Sequence, residues 1–184
     1  MLFTHKIDDE LSLTLMQPAI AEQLFAIIST EQDYLNKWLS WPANQTSVKI
    51  AKGDYRDMLL GFADQKSLVC AIIYKGELCG VCGFNKINPS LKTALIGYWL
   101  SEKFQGKGVI TRTVQYFIRH AFEDMALDKV EIAHAVGNIP SQKIIENVGF
   151  IKEGVVKNAE NVHGKIVDHV IYGIMKSDWR HPIV

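Results

Sequence analysis

Two periods of apolar and polar positions run along this chain, and the change from one to the other divides it. Leu11 to Met16 reads as a first strand. Pro18 then opens a helical stretch, with Ala21, Leu24, Phe25 and Ile28 at helical spacing. A second, short helix is expected to carry Tyr34, Leu35, Trp38 and Leu39. It should stop near Trp41, because a proline ring drives the residue before it out of the helical region. Val48 to Ala63 reads as a third helix, with Ile50, Tyr55, Met58, Leu59 and Phe62 as candidate core positions.

The period then shortens. Leu68 to Tyr74 is a continuous apolar run of strand formers, and Lys75, Gly76 and Glu77 read as a hairpin turn into Leu78 to Phe84. Ala94 to Leu100 is a third strand of this group. A loop with two glycines follows, then an amphipathic helix with Ile110, Val114, Phe117, Ile118, Ala121 and Met125 as its apolar stripe. Lys129 to Val136 is a strand. Pro140 to Val148 is a helix, with Gly149 where a left-handed cap residue is favoured. Two late strands, Ile151 to Ala159 and Ile166 to Met175, finish the pattern. Helices, a hairpin group, strand-helix-strand-helix and a last hairpin predict an α/β fold on a mixed sheet. With 184 residues, no repeats and no dividing linker, one domain over 1–184 is expected.

Composition narrows the function classes. Hydrophobic residues make up 48%, enough to fill a core and too many for disorder. Lys plus Arg and Asp plus Glu are 20 each, so net charge is zero. Nucleic-acid affinity rests largely on phosphate neutralisation, so the absent basic excess argues against such a partner. No apolar run approaches the ~20 residues needed to span a bilayer. The segment Met1 to Glu10 turns acidic too early for a signal peptide. A soluble, cytoplasmic protein without a membrane partner is therefore expected. Cys70, Cys79 and Cys82 are odd in number, which fits a reducing compartment. Cys79 and Cys82 have C-x-x-C spacing, but strand residues three apart point to opposite faces. The two thiols are expected to diverge, and no metal site is expected.

The segment from Gln105 to Gly108 carries the candidate chemistry. Gly106 and Gly108 lie between a strand and a helix. Glycine permits positive φ and close backbone approach, and a helix N-terminus presents unpaired N–H groups. Together they form an anion site suited to a phosphate or pyrophosphate. Lys107 would add a charge beside it, or be simply solvated. A Walker A loop needs Ser or Thr after its Gly-Lys pair, and here Gly108 follows Lys107. The dinucleotide fingerprint G-x-G-x-x-G has Thr111 where its third glycine belongs, and no acidic residue closes the following strand. A tight turn without a ligand remains the bland alternative.

Gln105-Gly106-Lys107-Gly108-Val109-Ile110 resembles the coenzyme A loop of the GCN5-related N-acetyltransferase superfamily, Gln/Arg-x-x-Gly-x-Gly/Ala. Ile110 departs from the small last residue of that pattern. Four further segments narrow the resemblance: Trp38 to Pro42, Ile96 to Leu100, Asn138 to Ser141 and Asn147 to Phe150. They look like the bacterial ribosomal-protein N-terminal acetyltransferase branch, which tolerates a bulky apolar residue at the Ile110 position. The likeness covers about residues 10–180.

The resemblance implies a mostly antiparallel central sheet flanked by helices, with a V-shaped strand splay for coenzyme A. It implies acetyl-coenzyme A as co-substrate, without a metal. Tyr98, Trp99 and Leu100 would offer backbone groups to the pantetheine arm, one N–H near Trp99 or Leu100 stabilising the oxyanion. Gln105, Gly106, Lys107, Gly108, Val109 and Ile110 would hold the pyrophosphate, with Thr111 adding a hydroxyl. Asn138 would line the cofactor site, or serve only as a helix cap. Ser141 would donate to the departing thiolate. Glu160 would serve as base for the amine, or be a solvated edge-strand carboxylate. His134, His163 and His169 are further titratable candidates. The acceptor implied is a protein N-terminus; the alternatives are a small amine, such as a polyamine or aminoglycoside, and a coenzyme A-binding module without catalysis. A small cationic acceptor calls for an acidic pocket, to which Glu31, Asp33, Asp54 and Asp57 are possible contributors. The resemblance and the late strands also lead to an expectation of homo-oligomers.

Overall fold

A computed structural model of the chain describes residues 2–180; Met1 and residues 181–184, the ends of the expected domain, lie outside the described residues. One eight-stranded sheet runs through them: β1 (Thr4–Lys6), β2 (Leu11–Leu15), β3 (Leu68–Tyr74), β4 (Glu77–Asn88), β5 (Thr93–Leu100), β6 (Lys129–Ala135), β7 (Ile151–Val162) and β8 (Lys165–Met175). Their order across the sheet is β1-β2-β3-β4-β5-β6-β8-β7. Only β5 and β6 are parallel. The mixed, mostly antiparallel sheet expected above is the one present.

Helices cover both faces. On one lie α1 (Ala21–Thr30) and α3 (Val48–Ala63), packed on Val69, Ala71, Val81 and Trp99. The four-residue α2 (Gln32–Leu35) precedes an irregular run that carries Trp38 and Leu39, so the second expected helix is shorter than its apolar spacing suggests. On the other face lie α4 (Val109–Glu123) and α5 (Ile139–Val148), over Phe84, Ile96, Val130, Ile132 and Tyr172. Phe117, Ile118, Val114 and Ala121 are fully buried there, as the i, i+3, i+4 stripe requires. Each such large side chain contributes roughly 1.5–3 kcal/mol by leaving water. Two expected core positions fail: Ile50 and Phe62 are 41% and 44% exposed, while Ala51 and Tyr55 are the buried side of α3.

The C-x-x-C expectation is also corrected. Ile72 pairs with Gly80 and Ile73 with Leu78, so Cys79 is the extra residue of a bulge. The bulge resets the alternation. Cys79 and Cys82 therefore enter the same core, and the Cys79 thiol donates to the Ile72 carbonyl at 3.5 Å. Among the described residues no group of His, Cys, Asp or Glu side chains is arranged to hold a metal.

The feature that creates the site is a gap in the middle of the sheet. β5 and β6 pair only from Thr93–Lys129 to Ile96–Ile132. Beyond Ile96 they separate, and β5 pairs with β4 alone. A second bulge coincides with the departure: Phe84 pairs with Ile96 and Lys86 with Leu95, leaving Asn85 extra. A bulge bends its strand and adds twist. The Asn85 side chain lies against Gly97, where a Cβ would sit 2.1 Å from its amide nitrogen. Gly97 is thus both the first residue free of β6 and the one that admits Asn85. No helix among the described residues is long and apolar enough to cross a membrane.

Candidate active site

Two clefts open on the splay. The first, about 370 Å³, runs from the splay to the start of α4. Gly106 and Gly108 adopt φ of +72° and +69°, and a Cβ at either would project into open space. That is the backbone a ligand can approach closely. Gly108 is the residue before α4, and no side chain caps the helix. The first-turn N–H groups from Val109 onward are left to face an anion. The glycines, the open helix end and the unpaired strand edge suit a pyrophosphate joined to an extended arm, so these residues fit a coenzyme A molecule.

Of the positions expected to bind the cofactor, Tyr98, Trp99, Leu100, Gln105, Gly106, Gly108, Val109, Ile110, Thr111 and Asn138 all line this cleft, and so does Ser141. Lys107 does not; its ammonium lies 4.9 Å over the Phe104 ring. Ile110 is buried in the core, which gives its apolar character a packing reason. Gln105 reaches across the cleft and donates to the Tyr34 hydroxyl, a partner that nothing in the sequence pointed to.

The second cleft, about 570 Å³, lies on the α1 and α3 side and is walled by Trp41, Tyr55, Val81 and Trp99. It shares Trp38, Leu39, Tyr98, Trp99, Asn138 and Ser141 with the first. The two spaces therefore meet where Ser141 stands. Asn138 accepts from the Ser141 backbone N–H at 3.3 Å and caps α5, as helix-start chemistry predicts. The cap fixes the turn that presents Ser141. The Ser141 hydroxyl lies 2.7 Å from the Tyr98 hydroxyl. Burial raises the Tyr98 phenol well above its ordinary value, against the opposing effect of the Ser141 bond. Tyr98 stays protonated, and either hydroxyl of the pair can be the donor.

Glu160 lines the second cleft and is more than a solvated edge carboxylate. One oxygen accepts from the Ser40 hydroxyl at 2.5 Å, and the other lies 3.1 Å from His169 Nε2. An irregular stretch of β7 places it there: four steps from Val156 to Glu160 face two steps of β8, from His169 to Val167. Asp168 pins the irregularity, accepting from Asn158 N–H at 3.0 Å and from Lys157 at 2.8 Å. These two bonds, Lys157 first, hold the Asp168 carboxyl below its usual range. His163, in the β7–β8 turn, bonds the Leu39 carbonyl at 3.0 Å. The hairpin is thus tied twice to the segment that walls both clefts. His134, also on the second cleft, donates from Nδ1 to the Ala135 carbonyl at 2.9 Å and stacks on Tyr172. Of the acidic residues weighed for an acceptor pocket, only Asp54 lines this cleft. Glu31 binds Ser101 and the Glu102 N–H instead, and Asp33 and Asp57 are exposed.

Comparisons with known proteins agree with this geometry. Residues 10–151 match the family model of the acetyltransferase (GNAT) domain. A ribosomal-protein-serine acetyltransferase of Escherichia coli (strain K12) is 31% identical, over 91% of this chain and 99% of its own. Among solved structures, the microcin C7 self-immunity acetyltransferase MccE in complex with acetyl-CoA and AMP superposes with a TM-score of 0.88 at 30% identity, covering 92% of this chain and 94% of that one. RimL, a ribosomal L7/L12 α-N-protein acetyltransferase in complex with coenzyme A, gives 0.90 at 26% identity, covering 94% and 98%. The chain belongs to the GNAT acetyltransferase family, and it is an acetyltransferase.

Proposed function

We propose that this acetyltransferase moves an acetyl group from acetyl-coenzyme A to the N-terminal α-amine of a protein, in a complex holding both substrates. The observation that carries the reading is the meeting of two clefts at Ser141, one suited to the donor and one open to an acceptor. The relatives named for ribosomal-protein and α-N-protein acetylation support the acceptor class. A ribosomal acceptor fits a cytoplasmic enzyme.

The co-substrate supplies the acetyl thioester. The loop from Gln105 to Ile110 and Thr111 hold its pyrophosphate, and Tyr98 to Leu100 line its arm. An α-amino group has a pKa of ~7.7–8.0 and must lose a proton to attack. Glu160 takes that proton, with Ser40 and His169 fixing its two oxygens. As the N–C bond forms and the C–S bond breaks, Ser141 donates its hydroxyl hydrogen toward the departing sulfur. Tyr98 donates to Ser141 in turn, so the hydroxyl chain points one way. Backbone N–H groups at the unpaired edge of β5 stabilise the oxyanion.

The small-amine reading draws on Asp54, a carboxylate in the acceptor cleft. The test is to supply acetyl-coenzyme A with Ser- or Ala-starting peptides, polyamines and aminoglycosides, and to measure free thiol and acetylated product. Peptide acetylation at the α-amine is expected. Turnover with small amines alone would overturn the peptide reading.

A further inference from the structure

The far wall of the acceptor cleft carries a polar pair that the transfer chemistry leaves unused. Gln45 closes the turn at Pro42–Asn44 and is 9% exposed. Its amide NH₂ donates to Asp54 on α3. Its carbonyl oxygen Oε1 is buried and has no hydrogen-bond partner among the described residues. Both residues line the cleft that Ser141 and Glu160 also line. A buried acceptor left unpaired is costly, so its missing donor calls for a source. Asp54 makes no ion pair with a Lys or Arg among the described residues; its hydrogen-bond partner is Gln45.

The chemistry of the wall selects its occupant. Asp54 brings a negative charge to this wall and Gln45 a buried, unpaired carbonyl oxygen, while the amide donor is already committed to Asp54. Around it stand aromatic faces: Trp41 and Trp99, tilted at 6.1 Å between centroids, and Tyr55 beside Asp54 on α3. Acceptor oxygens, one uncompensated carboxylate and aromatic rings favour a cation with several N–H donors over a neutral or anionic group.

We infer that the cleft selects acceptors bearing an ammonium or guanidinium group beyond the amine that reacts, received by Asp54 and the Gln45 carbonyl. The inference rests on the acetyl-transfer reading above for the position of the reacting amine. On a protein substrate the group is a Lys or Arg side chain within the first few residues; on a small substrate it is the second amine of a polyamine.

The test is a competition among short Ser-starting peptides that differ only in carrying Lys, Gln or Glu near the N-terminus, with spermidine as a separate arm. The wild-type chain should prefer the Lys peptide over the Glu peptide in kcat/KM by about tenfold or more. Asp54→Asn should bring that ratio below about threefold, and Asp54→Lys should invert it. Equal use of all three peptides by the wild type, or a ratio that survives Asp54→Asn, overturns the inference. Calorimetry of the N-acetylated peptides with the coenzyme A-loaded wild type reads the same preference without turnover. Preferential binding of the Lys peptide with no transfer leaves the inference standing and sinks the transfer reading. Equal binding sinks the inference whatever the transfer rates.

Discussion

Ser141 sits where the two clefts meet because one asparagine caps α5 and one tyrosine hydroxyl meets it from β5. Its proposed task is modest, since a thiolate leaves readily. A hydrogen bond to a charged group contributes about 1.5–3 kcal/mol, so Ser141→Ala should lower kcat by roughly 10–100-fold. The KM for acetyl-coenzyme A should change less, because this bond forms only as charge develops on sulfur. Tyr98→Phe should act in the same direction and more weakly, as it removes a donor to the donor. Steady-state kinetics on both variants check the order. Glu160→Gln should cost about 100-fold or more in kcat. The remaining rate should then climb with pH as the amine itself deprotonates, near its ~7.7–8.0. An unchanged rate and pH profile would remove Glu160 from the mechanism.

At the scale of elements, the loop before α4 and the gap between β5 and β6 shape the first cleft, the proposed donor site. Gly106 and Gly108 have positive φ with open space around them, so added Cβ atoms meet no protein neighbour. The penalty of Ala there is conformational, about 1–2 kcal/mol per residue. Gly108→Ala should weaken coenzyme A binding by about tenfold or more, because the backbone N–H groups lose their aim. Calorimetric titration measures it, and a wild-type affinity would show that the loop does not hold the ligand. Much of this loop was legible in the sequence, since glycines between a strand and a helix have few uses. The helical stripe of α4 and the Asn138 cap were legible for the same local reasons. The splay was legible only by resemblance: its position follows from where Asn85 bulges, and pairing register is not a local property. The bulge at Cys79 likewise defeated a correct rule about alternation. Glu160 was found only by resemblance, and its partners Ser40 and His169 come from segments more than a hundred residues apart. No spacing rule joins such residues.

The whole molecule has an alkaline weakness that follows from its core. Cys70 and Cys79 are buried, and burial pushes each thiol up to about 12. Burial likewise pushes the Tyr55 phenol up to about 12. These groups keep their protons in the folded chain at pH values where the unfolded chain releases them. Their folded pKa values are raised, so the stability they contribute is complete below the unfolded thiol value of ~8.5 and is lost as pH rises toward about 12. Urea midpoints should therefore fall steadily above pH ~8.5, and Cys70→Val should make that fall shallower. A flat profile to high pH would show that these thiols are not buried as described.

One gap in the sheet is proposed to bring a coenzyme A thioester and a protein α-amine together at Ser141. Its most direct test follows a Ser-starting peptide and acetyl-coenzyme A with the wild-type chain, locating the added mass by fragmentation. Acetyl on the α-amine and released thiol in equal amount are expected, with both suppressed together in Ser141→Ala. Thiol release without α-amine acetylation, or acetylation that Ser141→Ala leaves at the wild-type rate, would contradict it.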